Sequence, residues 1–210
     1  MIPISSGKIV IDGHDISELG LHDLRSSLTM IPQDPVLFTG TIRSNIDPLS
    51  MYDDAKLWDA LERVHFIESL QQSTDGDRPS DTLDLAVSEN GSNFSQGQRQ
   101  LLCLARSILQ RNKVIFLDEA TSSTDNRTDA RIQLAIRSEF KESTILCIAH
   151  RIRTVIDFDL ILVLDKGQVA EYGSPIDLLE NSKVGLFKDM CLETGEYSDL
   201  LDIAKKAIKL

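Results

Sequence analysis

The sequence predicts an α/β fold on a sheet that is at least partly parallel. Two observations carry this. Short apolar, strand-like runs alternate with stretches of helical period, the pattern that builds parallel sheets. Polar residues also stand directly after several of those runs, at Gln33, Asp118, Glu119 and His150. The carboxyl ends of parallel strands are where such sheets take ligands.

The elements follow in order. Residues 8–11, Lys-Ile-Val-Ile, read as a strand and meet Asp12-Gly13, a strong hairpin signal. Leu21 to Ser26 suits a short helix. Leu28-Thr29-Met30-Ile31 is a second strand, ended by Pro32, with Gln33 at its tip and Asp34-Pro35 turning the chain. The middle third changes character. Leu57, Trp58, Leu61, Val64 and His65 recur at helical spacing, behind an Asp53-Asp54 cap. Residues 73–81 form a polar loop. Ser95 and Gln98 have capping-box spacing at the head of a helix whose apolar face is Leu101, Leu104, Ala105, Ile108 and Leu109. Val114 to Leu117 is a continuous apolar strand ending in Asp118-Glu119. A helix with Ile132, Ala135, Ile136 and Phe140 on one face comes next, then a buried strand from Thr144 to Ala149 ending at His150. Leu160 to Leu164 is a further strand, Lys166-Gly167 turns into Gln168 to Tyr172, and Gly173-Ser174-Pro175 precedes a last helical stretch.

Composition narrows the class. A net charge of −11 and a pI near 4.8 argue against a nucleic-acid partner, which needs clustered Lys and Arg. Lys205, Lys206 and Lys209 read as a solvated helix face or tail. The three cysteines stand far apart with no CxxC pair, so a metal or redox motif is not expected. Cys103 and Cys147 sit in apolar runs and read as buried small apolar residues. No apolar run approaches the ~20 residues of a membrane-spanning helix.

Four stations have chemistry to offer. Asp118-Glu119 put charge at the tip of a buried strand, where a carboxylate suits Mg2+ and a second group suits an attacking water; they also suit capping of the next helix. Ser95, Gln96, Gly97 and Gln98 open a helix, where N–H groups, a hydroxyl and the helix dipole favour phosphate; an ordinary N-cap reads the same way. His150 and Gln33 each have donors for a phosphate and a structural alternative.

Their order resembles the ATP-binding-cassette family. Gln33 matches its Q-loop, Phe94 to Gln98 its signature, Val114 to Glu119 Walker B and the catalytic glutamate, Ser123 to Asp125 the D-loop, and His150 the switch histidine. The stretch Pro35 to Pro48, Gly91-Ser92-Asn93-Phe94-Ser95 and Leu164-Asp165-Lys166-Gly167 resemble the C-terminal nucleotide-binding half of multidrug-resistance-associated exporters, subfamily C. The signature departs from the usual Leu-Ser-Gly-Gly-Gln in reading Phe-Ser-Gln-Gly-Gln. No Gly-x4-Gly-Lys-Ser/Thr loop occurs, and Gly7-Lys8 is a strand start. In the family that Walker A loop would lie just upstream of residue 1.

The resemblance therefore implies an ABC ATPase core in which the Walker A strand, loop and helix are missing. Within it, a helical subdomain over about residues 40–110 carries the signature. It implies ATP and Mg2+ as cofactors. Glu119 and His150 are the expected catalytic residues, Gln33 and Asp118 the ATP and Mg contacts, Ser95 to Gln98 the part of a partner's site in trans, and Asp125 the D-loop acid. Expected partners are a second nucleotide-binding domain, paired head to tail, and transmembrane domains. The expected location is the cytoplasmic face of a membrane. Alone, the chain is expected to bind ATP poorly. Two rival classes are a chromosome-maintenance ATPase, disfavoured by the lack of heptads before the signature, and a non-enzymatic interaction module.

Overall fold

The computed structural model describes residues 4–73, 81–118 and 126–207. The chain divides into two compact units, Met1–Ile148 and Ala149–Leu210.

The first unit begins with the expected hairpin. β1 (Val10–Ile11) and β2 (His14–Asp15) pair antiparallel, and Asp12 and Gly13 between them hold φ of 49° and 83°. Two successive positive values are the turn geometry that Asp-Gly favours. α1 (Leu21–Ser26) and β3 (Leu28–Ile31) fall where the sequence places them. β4 (Gly40–Thr41) leads into α2 (Ile42–Ile46), which a reciprocal capping box of Thr41 and Ser44 initiates. α3 (Asp54–Arg63) is capped by the Asp53 carboxylate, which accepts the Lys56 N–H. The helical stripe stops short of His65. With φ of 57°, His65 breaks the helical path and separates α3 from α4 (Phe66–Ser73). Residues 74–80 of the expected polar loop lie outside the described residues. β5 (Ala86–Val87) pairs with β4.

α5 (Gln96–Gln110), β6 (Val114–Asp118), α6 (Asn126–Glu139) and β7 (Thr144–Ile148) complete the unit. β3, β6 and β7 form a parallel sheet in that order. One face is buried: Thr29, Ile31, Ile115 and Leu117 are all at most 3% exposed. Its apolar residues share one core with Leu101, Leu104 and Ala105 of α5 and Ile132, Ala135 and Ile136 of α6. α2, α3 and α4 pack on other sides of α5, so Leu102 and Cys103 are buried as well. Burial around most of the helix exceeds the single stripe that periodicity shows.

β7 departs from the expected buried strand. Leu146 and Ile148 are 49% and 63% exposed, Met30 of β3 is 65% exposed, and Cys147 is only half-buried. Among the described residues β7 has a strand neighbour on one side alone, and the core covers only the other face of the sheet. An apolar run reports the wish to be buried, not whether a cover is present.

The second unit has its own core of Ile156, Ile161, Leu178, Leu179, Phe187, Cys191, Leu200 and Ala204. It contains α7 (Ile152–Val155) and an antiparallel pair, β8 (Ile161–Asp165) and β9 (Gln168–Gly173), turning at Lys166-Gly167. The last helical stretch is three helices: α8 (Pro175–Glu180), α9 (Leu186–Glu193) and α10 (Tyr197–Ala207). Glu171 of β9 is 5% exposed and accepts the Phe187 N–H at 2.7 Å, the Gly185 N–H at 3.1 Å and the Ser182 hydroxyl. Burial raises its pKa, but these donors outweigh burial and hold the carboxyl below its ordinary range. Among the described residues, no helix is long and apolar enough to cross a membrane.

Candidate functional site

The sheet register gathers the first two stations. β3 and β6 run parallel with Ile31 opposite Leu117. Gln33, two residues past Ile31, and Asp118, one past Leu117, therefore emerge at the same carboxyl edge. Gln33 is exposed and Asp118 half-buried. On the far side of β6, Ile148 stands opposite Asp118. The neighbouring Cys147 thiol is pushed up to about 11 by burial, which Arg137 opposes and the Asp118 carboxylate reinforces. Asp118 thus projects from a strand whose preceding residues are held by pairing on both sides.

The third station is the head of α5. The Ser95 hydroxyl accepts the Gln98 N–H at 3.2 Å, while the Ser95 N–H donates to Gln98 Oε1 at 2.9 Å. This is the reciprocal box that the spacing predicts. Ser95 is exposed and Gln96 half-buried. Gln98 turns inward, 5% exposed, and donates Nε2 to the Ser69 carbonyl of α4 at 3.2 Å. Gly97 is buried against α6, where an added Cβ would lie 2.3 Å from Thr128 Cγ2. Two of these four positions therefore hold the helix in place, and Ser95 faces solvent with the dipole of a 15-residue helix behind it.

Glu119 and Asp125 lie outside the described residues. His150 belongs to the second unit, two residues after β7 ends. Among the described residues no group of three or more His, Cys, Asp or Glu forms a metal cage. One strand-end carboxylate with a nearby carboxamide does suit Mg2+, which keeps several waters and arrives on phosphate oxygens. The donor set fits a metal carried by a nucleotide.

Two further residues hold this region without standing out in the sequence. Gln100, 1% exposed, donates Nε2 to the Pro32 carbonyl beside Gln33 at 3.2 Å. Thr128 closes over Gly97. A polar residue amid the apolar run of α5 was the available signal for Gln100. Thr128 offered none, because its partner lies on another helix.

The family model described as ABC transporter matches residues 1–122. The ATP-dependent bile acid permease of Saccharomyces cerevisiae is 51% identical over 217 residues, covering 96% of this chain and 13% of that protein. ATP-binding cassette sub-family C member 2 of Mus musculus is 48% identical over 194 residues, covering 91% of this chain and 12% of its own length. The chain thus spans about an eighth of these relatives. Among solved structures, a bacterial Atm1-family ABC exporter with ATP bound superposes with a TM-score of 0.80 at 34% identity, covering 91% of this chain and 32% of that one. With the parallel sheet and the capped α5 in place, the family match and these relatives make the chain a member of the ABC transporter family, of the subfamily C, multidrug-resistance-associated type.

Proposed function

We propose that this chain is nucleotide-binding-domain sequence of an ABC exporter, from the C-terminal half, that takes part in coupling ATP hydrolysis to transport across a membrane. Residues of about 40–110 act as the helical subdomain that carries the signature. What supports the reading is the shared carboxyl edge of Gln33 and Asp118, beside a signature helix capped at Ser95.

MgATP, when bound, would supply the phosphoryl group that passes to water. Asp118 would hold the metal through its water shell, and Gln33 would serve the metal and the terminal phosphate. Glu119 orients the attacking water and takes its proton. His150 donates a hydrogen bond to the terminal phosphate, and Asp125 is the D-loop acid. Ser95 and the first N–H groups of α5 serve the nucleotide held by a second nucleotide-binding domain, paired head to tail. Transmembrane domains complete the transporter, which places this chain at the cytoplasmic face of a membrane.

The 210 residues contain no Gly-x4-Gly-Lys-Ser/Thr loop. That loop normally supplies several charge-assisted phosphate bonds, each worth roughly 1.5–3 kcal/mol. Two side chains at a sheet edge do not replace them, so these 210 residues by themselves grip MgATP weakly, while Ser95 and the head of α5 remain available to a partner's site in trans. The test is MgATP binding and turnover by the chain alone, and mixed with an intact ABC nucleotide-binding domain. We expect negligible turnover alone and ATP-dependent association in the mixture, weakened by Ser95→Ala. Turnover by the chain alone that vanishes in Glu119→Gln contradicts weak binding. A mixture that never associates in ATP contradicts the contribution in trans.

A further inference from the structure

α5 carries two buried carboxamides two residues apart, on opposite sides of the helix, and they reach in different directions. Gln98 holds the α4 backbone at Ser69, while Gln100 crosses to the end of β3 and holds the Pro32 carbonyl. Pro32 precedes Gln33 directly, and Gln98 closes the box on Ser95. At 1% exposure, the Gln100 amide has no water to turn to if the Pro32 carbonyl moves away. A buried donor and acceptor pulled apart cost far more than an exposed pair. The strand end and the signature helix therefore move together, or they separate only by breaking a buried bond.

We propose that Gln100 is a positioning residue that couples the Gln33 segment to the signature helix. An event that displaces Gln33 is passed through the Pro32 carbonyl to Gln100, and along one turn of α5 to the Ser95 cap. This rests on the reading above, in which Gln33 meets nucleotide on this chain and Ser95 meets the partner's. It supplies a contiguous physical link between the two stations, with one bond whose removal uncouples them.

The experiment follows backbone amide signals of the labelled full chain by NMR, titrating MgATP in the presence of an intact ABC nucleotide-binding domain. In the unaltered chain, signals of Gln33–Asp34 and of Ser95–Gln98 titrate with one midpoint. In Gln100→Met, which keeps the side chain's length and apolar stem but has no donor, the two midpoints separate about tenfold, the ratio that 1.4 kcal/mol sets. Ser107→Ala is the control. Its hydroxyl bonds within α5, to the Cys103 carbonyl at 2.9 Å, so its loss destabilises the helix without touching β3. In that variant the midpoints stay equal. Equal midpoints in Gln100→Met, or a matching split in Ser107→Ala, overturn the proposal.

Native-state hydrogen exchange on the unaltered chain in mild denaturant, without nucleotide, is the second measurement. It serves equally if Gln100→Met does not fold or if MgATP moves no signal. The Gln100 carboxamide protons and the amides at the end of β3 should open with the same free energy and denaturant slope. Different opening energies refute the coupling. A shared opening alongside an absent MgATP response upholds the coupling and refutes the nucleotide reading alone.

Discussion

Replacing Gly97 by alanine should destabilise the first unit, although the same change in an ordinary helix stabilises it. Gly97 lies in the first turn of α5, where alanine gains about 0.5–1 kcal/mol from backbone entropy and propensity. The new Cβ, however, would sit 2.3 Å from Thr128 Cγ2 and 3.2 Å from its Cβ. Carbon atoms in good contact stand about 3.5–4.0 Å apart, so the methyl overlap exceeds an ångström and α6 or α5 must shift. Overpacking of this kind costs typically about 1–3 kcal/mol. The net expectation is a loss of roughly 1–2 kcal/mol. The methyl is the main obstacle, since the remaining Thr128 Cβ and Oγ1 lie at 3.2 and 3.5 Å, where a shift of a few tenths of an ångström suffices. Thr128→Ser should therefore recover most of the loss in the double variant while costing about 0.8 kcal/mol by itself. The single tryptophan, Trp58 of α3, packs against the core of the first unit. Urea unfolding followed by its fluorescence thus reports this unit. Stabilisation by Gly97→Ala, or additive losses in the double variant, would refute the close approach of α5 and α6 at Gly97.

Three further expectations follow from the same geometry. Ser95→Ala removes the acceptor for the Gln98 N–H and should lower the unfolding free energy read from the same urea curve by about 1 kcal/mol, whereas Ser95→Gly costs only a few tenths. In the second unit, the Glu171 carboxyl is held below its ordinary value of 4.5. Its contribution is complete above that pH and fades as pH falls through the lower folded-state value. Exchange of the Phe187 amide should accelerate over that acid range, and Glu171→Gln should accelerate it at neutral pH by removing bonds worth roughly 1.5–3 kcal/mol together; a flat acid profile would count against it. Burial raises the Cys103 thiol, and it raises Cys147 and Cys191 each to about 11. At pH 8 roughly one molecule in a thousand then carries thiolate at either of the last two, so alkylation of the folded chain should be slow and should speed up sharply in urea.

Much of the architecture was legible because it is set by near neighbours in sequence. Asp12-Gly13 specifies its turn through its own backbone freedom, Ser95 and Gln98 meet across three residues, and Pro32 ends a strand by lacking an N–H. α2 and α4 escaped notice because five and eight residues are too short for a periodic signal. The helical spacing runs on to His65 because spacing carries no information about φ.

The linear order of Gln33, Ser95, Asp118 and His150 by itself determined the family and named the stations, since residue type and spacing suffice for that. Only the tertiary structure decided that β3 lies beside β6, so that Gln33 and Asp118 share an edge. It alone turned Gln98 and Gln100 inward, seated Gly97 against Thr128, and left Met30, Leu146 and Ile148 on an uncovered face. Pairing, close approach and burial are relations between segments distant along the chain. They depend on which surfaces meet once it has folded, and neither periodicity nor local propensity records that.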